Sequence, residues 1–290
     1  MAEQTTLNAA LAGTIEIGGD LTVNRFGFGA MRLTGEGIWG EPADRVESQR
    51  VLRRVIDLGI NFIDTADSYG PEVSERLIGE TLYPYPDDLV IATKAGLTRP
   101  GPGQWTPNGR PEYLKKQVEG SLRRLRADEL DILQLHRPDP KVPLEESIGA
   151  LIELKDQGKI RHIGLSNVTI EQLKQAEKLT PIVSVQNRYN LFDRESEPML
   201  EQCSLEQLAF LPWRPVGGGD LGERVVEEIG KRYKATPTQI GLAWLLSHSP
   251  VMLPIAGTSK VAHLEENLAA VALEIAPADL AALDKLAGEQ

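Results

Sequence analysis

The sequence predicts an α/β protein built as a closed (β/α)8 barrel of eight parallel strands, its bottom capped by a short N-terminal β-hairpin. Three observations carry that expectation. Short aliphatic or β-branched runs alternate with longer amphipathic stretches eight times along nearly the whole chain. No long structureless linker interrupts the alternation, as a barrel of βα units requires. Polar residues gather at the C-terminal ends of the strand candidates, where barrels of this kind hold their chemistry. An open doubly wound sheet is the competing arrangement, and periodicity alone does not separate the two.

In chain order, residues 14–17 and 21–23 flank Gly18-Gly19, a pair suited to the positive φ of a tight hairpin turn. Barrel strands are expected at 25–28, 61–64, 89–93, 132–136, 161–165, 182–186, 208–213 and 252–255. Helical periodicity marks 45–58, 112–125, 144–157, 170–179 and 278–286; in the third of these, Leu144, Ile148, Leu151, Ile152 and Leu154 form one apolar stripe. Gly59 and Gly158 follow helices, where a left-handed cap is expected. The Pro/Gly-rich stretch 99–110 reads as a long loop. One domain is expected over 1–290, with the hairpin in 1–24, the barrel strands in 25–257, and cofactor-binding and C-terminal helices in 258–290.

Composition sets bounds on function. The chain has 290 residues, 41% hydrophobic and 25% charged, ordinary for a globular protein with ample core. Lys and Arg number 31 against 42 Asp and Glu, a net charge of -11 that disfavours nucleic acid as a partner. A phosphate-bearing ligand must therefore meet a local basic cluster. Cys203 is alone, which forbids an internal disulfide and a cysteine zinc cage. The N-terminus lacks the pattern of a signal peptide, and the most apolar stretch, 240–257, is broken by polar residues and prolines. A soluble, cytoplasmic protein without a membrane partner is the expectation; monomer is the expected state.

Asp64 ends the second strand candidate, Lys94 follows the third, His136 ends the fourth, Ser166-Asn167 follow the fifth, and Gln186-Asn187 end the sixth. Each alone reads more readily as a helix cap or a satisfied structural residue than as part of a site. Five strands behaving alike read as a site at one barrel mouth. Tyr69 lies in the loop after the second strand and reaches the same mouth. A phenol has an ordinary pKa of about 10, too high for easy proton release near neutrality. A lysine ammonium beside it favours the phenolate, and a carboxylate fixes that ammonium in place. His136 is placed to hydrogen-bond a substrate oxygen. With no metal cage and no activated serine, the set suits polarising and protonating a carbonyl.

These residues, together with Gly27-Phe28-Gly29-Ala30-Met31, Asp64-Thr65-Ala66-Asp67-Ser68-Tyr69-Gly70, Gly164-Leu165-Ser166-Asn167 and Gln186-Asn187, give a chain that resembles the aldo-keto reductases over essentially its whole length. The resemblance implies a TIM barrel and a tetrad of Asp64, Tyr69, Lys94 and His136. It implies hydride transfer from a reduced nicotinamide to the carbonyl carbon of an aldehyde or ketone. Tyr69 would donate the proton, Lys94 held by Asp64 would lower its pKa, and His136 would orient the carbonyl. Ser166, Asn167 and Gln186 resemble the clamp on the nicotinamide amide, and Trp213 the ring stacked on the nicotinamide. Ala30, Met31, Arg214 and Pro215 belong to the same expected cofactor contacts.

Two segments compete for the phosphates. Gly217-Gly218-Gly219-Asp220-Leu221-Gly222 matches G-x-G-x-x-G in form, but the acidic residue some 20 positions on is missing, so it reads as a glycine loop over the pyrophosphate. Gly257-Thr258-Ser259-Lys260 opens a helix after the eighth strand, where free N–H groups favour phosphate. Thr258, Ser259 and Lys260 are expected at an adenosine 2′-phosphate, with Glu266 and Asn267 at the adenine. His263 stands where the family commonly has arginine, which weakens but does not remove the expectation of NADP(H) over NAD(H).

Other classes remain: a Schiff-base barrel lyase using Lys94, against which the neighbouring Asp64 argues, and a non-catalytic or sensor-type NADPH-binding subunit. The substrate is expected to be a small-molecule carbonyl compound in a fairly open pocket. Trp39 and Trp105 are candidates for its walls.

Overall fold

The computed structural model describes residues 7–217 and 224–288. Eight parallel strands carry the architecture: β1 Gly27–Gly29, β2 Phe62–Asp64, β3 Val90–Ala95, β4 Leu130–Leu135, β5 Ile160–Ser166, β6 Ser184–Gln186, β7 Ala209–Phe210 and β8 Ile255–Ala256. They pair in chain order from β1 to β7, and β8 pairs back onto β1. A parallel bridge between Phe210 and Met252 joins β7 to the segment entering β8, closing the ring. This is the (β/α)8 barrel expected, with all eight strands near their predicted places. The eighth begins three residues later than expected because Pro254 has no N–H to give to a ladder.

Ten helices among the described residues clad it: α1 Arg45–Asp57, α2 Val73–Leu82, α3 Pro111–Leu125, α4 Leu144–Asp156, α5 Ile170–Glu177, α6 Glu197–Glu206, α7 Arg224–Tyr233, α8 Pro237–His248, α9 Val261–Leu268 and α10 Pro277–Asp284. Their starts follow local chemistry. Asp44 accepts the Glu47 N–H at the start of α1, and Thr169 and Thr236 form capping boxes with Gln172 and Gln239 at α5 and α8. Gly59 and Gly158 take the left-handed conformation at φ 70° just past α1 and α4.

The strands alternate in and out, which divides the interior into two cores. Outward residues such as Ile63, Ile91, Leu133 and Ile163 pack under the helices. Inward residues Phe62, Val90, Ala92, Ile132, Leu211 and Leu253 form a separate cluster inside the barrel with Ile17, Leu21 and Val23 of the N-terminal hairpin, Thr14–Ile17 paired with Leu21–Asn24. Each of those three hairpin side chains contributes about 1.5–3 kcal/mol of burial, which fastens the plug to the bottom of the barrel. The same alternation leaves the inward positions one layer higher to polar residues. The stretch expected as a plain loop at 99–110 is partly ordered instead: Leu97–Thr98 pairs antiparallel with Thr106–Pro107.

Candidate active site

The upper inward layer is built by strand register. Asp64 ends β2 opposite Ala92 of β3; Lys94, two residues on, faces inward again and lies opposite Gln134 of β4, which in turn lies opposite Gly164 of β5. A β-carbon at Gly164 would come within 3.0 Å of the Gln134 side chain, so glycine there leaves room for it. Lys94 is wholly buried and Asp64 nearly so. The Lys94 ammonium donates to Asp64 Oδ2 at 2.6 Å, to the Thr65 carbonyl at 2.8 Å and to the Tyr69 hydroxyl at 3.2 Å. Its three N–H donors are thereby all engaged. On the other carboxylate oxygen, Asp64 Oδ1 accepts from the Gln134 side chain at 3.0 Å and from Gln186 at 2.8 Å.

Tyr69 is reached by a loop that also supplies Ser68, whose Oγ lies 3.3 Å from His136 Nδ1. The rings of Tyr69, His136 and Trp105 meet edge to face, with centroids 5.9 Å apart for Tyr69–His136 and 6.3 Å for each ring to Trp105. Asn167, at φ 57°, binds the loops together: its Nδ2 donates to the His136 carbonyl at 3.0 Å, and its Oδ1 accepts from Trp213 Nε1 at 3.1 Å. Asparagine tolerates that left-handed backbone better than most residues.

Electrostatics follow from burial and neighbours. Burial pulls Lys94 down but Asp64 outweighs it, and the ammonium ends above its ordinary value. Burial raises the Tyr69 phenol, and Lys94 pulls it back only in part, so the net shift is upward. The lowering expected of Lys94 is present in the ammonium's own effect, but desolvation outweighs it and the phenol ends above its ordinary value. Burial, then the positive charges of Lys94, Arg137 and Arg99, hold His136 well below its usual range, so the imidazole is neutral.

Two clefts meet at Tyr69. One, of about 500 Å³, is bordered by Asp64, Tyr69, Gln186, Trp213, Arg214 and Pro215 and runs to Gly257, Thr258, His263, Glu266 and Asn267. The second, of about 490 Å³, is bordered by Tyr69, Trp105, His136, Ser166, Asn167 and Trp213 among others. Met31, Arg32, Gln186, Trp213 and Arg214 line both.

Several expected cofactor residues thus line these clefts, and some do not. Ala30 is buried, its carbonyl accepting the Ser74 hydroxyl at 3.4 Å. Ser259 and Lys260 do not border the described cleft, and Thr258 Oγ1 is engaged by the Lys260 N–H at 3.1 Å. The first α9 amide, Val261 N–H, donates to the Glu47 carboxylate at 3.1 Å. Gly217 turns at φ 58°, and the rest of the glycine loop, 218–222, lies outside the described residues. Asn187 is a structural tie, bonded through both side-chain atoms to the Val168 backbone. Of the two tryptophans, Trp105 walls the second cleft, while Trp39 lies beyond it against the Arg99 guanidinium, 5.6 Å from the ring centroid.

Sequence reasoning missed Gln134, Arg32, Arg137, Thr238 and Arg99. Gln134 was within reach, since Ile132 and Gln134 alternate inward along one strand. Arg99 gave no signal: its guanidinium donates to the carbonyls of Gly37, Ile38, Ser68 and Gln104 at 2.9–3.1 Å and stacks 3.6 Å from the Trp105 ring. Among the described residues, no His/Cys/Asp/Glu group is arranged to hold a metal ion, and no helix is long and apolar enough to cross a membrane.

The family description aldo/keto reductase matches residues 25–287. The chain belongs to the aldo/keto reductase family. This aldo/keto reductase is 49% identical over 286 residues to an uncharacterised oxidoreductase of Schizosaccharomyces pombe, covering 98% of this chain and 93% of that one. It is 43% identical over 279 residues to pyridoxine 4-dehydrogenase of Escherichia coli, covering 93% and 97%. Among solved structures, an aldo/keto reductase from Klebsiella pneumoniae in complex with NADP and acetate superposes with a TM-score of 0.81 at 28% identity, covering 94% of each chain. The chain is thus an oxidoreductase of this family.

Proposed function

We propose that this aldo/keto reductase reduces aldehydes or ketones to alcohols with a reduced nicotinamide cofactor, NADP(H) before NAD(H), and that Tyr69 is the proton donor. The carrying observation is the position of the Tyr69 hydroxyl: it stands where the two clefts meet, with the Lys94 ammonium 3.2 Å behind it. The first cleft fits a dinucleotide in its chemistry. It is lined by Met31, Gln186, Trp213, Arg214, Pro215, Thr258, His263, Glu266 and Asn267, with Tyr69 and Asp64 among them. Ser166 and Asn167 border the second cleft beside Tyr69 and Trp213, and we place Ser259 and Lys260, next in the chain to Thr258, near the adenosine phosphate. The NADP complex of the Klebsiella relative supports this, and the name of the Escherichia coli relative supports an aromatic alcohol–aldehyde pair.

When bound, the reduced nicotinamide supplies the hydride. The chain's own part is to hold the carbonyl and deliver a proton. Burial keeps Tyr69 protonated in the resting site, so its O–H donates to the carbonyl oxygen. As that oxygen gains negative charge the proton passes to it, and the phenolate left behind faces the Lys94 ammonium. Asp64 keeps that ammonium charged and fixed. Neutral His136, tethered through Nδ1 to Ser68, turns its other ring nitrogen to the same oxygen. A Schiff-base role for Lys94 does not suit these contacts, because a charged amine with every N–H engaged has no lone pair for attack. Tyr69→Phe should lower kcat by about 10²–10⁴-fold while the dissociation constant for NADPH, read by fluorescence, stays unchanged. Turnover retained at the wild-type rate would remove Tyr69 from the role.

A further inference from the structure

The second cleft is lined by three arginines, Arg32, Arg137 and Arg214, and by no aspartate or glutamate among the described residues. That is unusual in a chain of net charge -11. Several arginines elsewhere pair with carboxylates, as in Arg54–Glu265 at 2.7 Å, Arg161–Asp20 at 2.7 Å and Arg188–Asp193 at 2.6 Å, and others stand without one. What sets this cleft apart is that three border one space with no carboxylate among the described residues lining it. Among the described residues none of the three cleft arginines has such a partner within 4.0 Å. Their positions differ in a telling way. Arg32 and Arg214 border both clefts, so phosphates in the first cleft are within their compass. Arg137, next to His136 at the end of β4, borders the second cleft only. Its charge is therefore left over after a cofactor is accommodated. A guanidinium facing a cleft is a fork suited to a carboxylate or phosphate. Trp105 and Trp213 wall the same space with flat aromatic surface.

We infer that the substrate is an aromatic aldehyde bearing an anionic group, a carboxylate or phosphate, which Arg137 receives while the formyl group faces Tyr69 and His136. The inference rests on the reductase reading and narrows it to a substrate class. Arg137 then acts on specificity: it lowers KM for the anionic substrate and has no part in the proton transfer.

The test compares 4-carboxybenzaldehyde and 4-formylphenyl phosphate with neutral 4-methylbenzaldehyde, in wild type, Arg137→Met and Arg137→Lys. We expect the wild type to favour at least one anionic aldehyde by about tenfold in KM, with added salt eroding the preference. Arg137→Met should bring the ratio close to one, and Arg137→Lys should restore part of it. Which anionic probe gains more distinguishes carboxylate from phosphate. In parallel, quenching of tryptophan fluorescence by 4-(hydroxymethyl)benzoate and by 4-methylbenzyl alcohol reads the cleft without turnover. Turnover with no anionic preference, or a preference untouched in Arg137→Met, overturns the inference and leaves the reductase reading standing. No turnover, with tighter and Arg137-dependent binding of the benzoate, would sink the reductase reading and support the anion site. Absence of both would overturn the two together.

Discussion

Replacing Asp64 by asparagine isolates the buried ion pair on which the site depends. The side chains of Lys94 and Asp64 are 0% and 3% exposed, and their charged atoms lie 2.6 Å apart. The amide keeps the shape of the carboxylate and removes its charge, leaving an ammonium in the barrel with only the Thr65 carbonyl and the Tyr69 hydroxyl for company. Breaking one side of a buried pair costs about 3–5 kcal/mol, because the surviving charge has lost its compensation. In a chain of 290 residues that is a fall in Tm of roughly 5–8 °C. Gln134 and Gln186, which donate to Asp64 Oδ1, add to the loss unless the new amide presents its oxygen to them.

The pH dependence separates this account from a general loss of packing. In the wild type Lys94 lies above its ordinary value, so its contribution is complete below the unfolded pKa of about 10.4 and disappears only as pH rises through the folded value. In Asp64→Asn, burial is opposed only by Tyr69, and the folded lysine is expected to drop below the unfolded one. The unfolded variant then binds more protons than the folded one, so its stability rises with pH over the interval between the two pKa values. Urea unfolding from neutrality towards pH 10 should show the gap to wild type shrinking. The double variant Asp64→Asn/Lys94→Met, which buries no charge, should be more stable than Asp64→Asn alone. A deficit under about 1 kcal/mol at neutral pH, or one that is flat with pH, would refute the reasoning.

Two further perturbations address the walls of the site. Arg99→Ala removes four hydrogen bonds to loop carbonyls and the support under Trp105; we expect a loss of about 1–3 kcal/mol and a KM for aromatic aldehydes that rises more than kcat falls, measured by steady-state kinetics beside urea unfolding. Equal losses in kcat and KM terms for a small aliphatic aldehyde would contradict a wall-positioning role. Glu47→Gln removes the carboxylate from the start of α9; the ratio of NADPH to NADH affinity, from fluorescence titration, should rise by about three- to tenfold. An unchanged ratio would mean that this carboxylate does not face the 2′-phosphate.

How much of this was legible depended on which period the chain used to write it. Strands of two to seven residues, bounded by glycine and turn residues, stand out as short apolar runs, and all eight barrel strands were placed from them. Helices were legible when they sit on the barrel with one face in water, as α1, α3 and α4 do. α8 was not singled out, because Ile240 to Leu245 is an unbroken buried run with no polar face to set a period. At the site, Asp64, Lys94 and His136 announced themselves as polar residues ending apolar strands. Gln186 was legible as a site residue, but its side-chain N–H donors turn out to be engaged by Asp64 and Gln134. Arg99 was illegible because its partners are backbone carbonyls on three loops, and backbone atoms leave no mark in composition.

Charge was legible at one scale and hidden at another. A net charge of -11 required that any anionic ligand find a local basic cluster, and sequence alone offered Lys260 and its neighbours for it. The structure gathers positive charge elsewhere, in Arg32 after β1, Arg137 after β4 and Arg214 after β7, which come from positions far apart in the chain. Closing the ring brings the loops after β7 and β1 close together, since β7 meets the segment entering β8 and β8 meets β1, and Arg137 after β4 meets them across the mouth. A cluster assembled by barrel closure has no local sequence pattern, whatever its strength. Charges farther from the cleft than a Debye length of about 8 Å are largely screened, so a net charge of -11 does not by itself oppose an anion there. If Arg137 receives an anion, as inferred, the selection acts at close range, by shape and contact, rather than by attraction from afar.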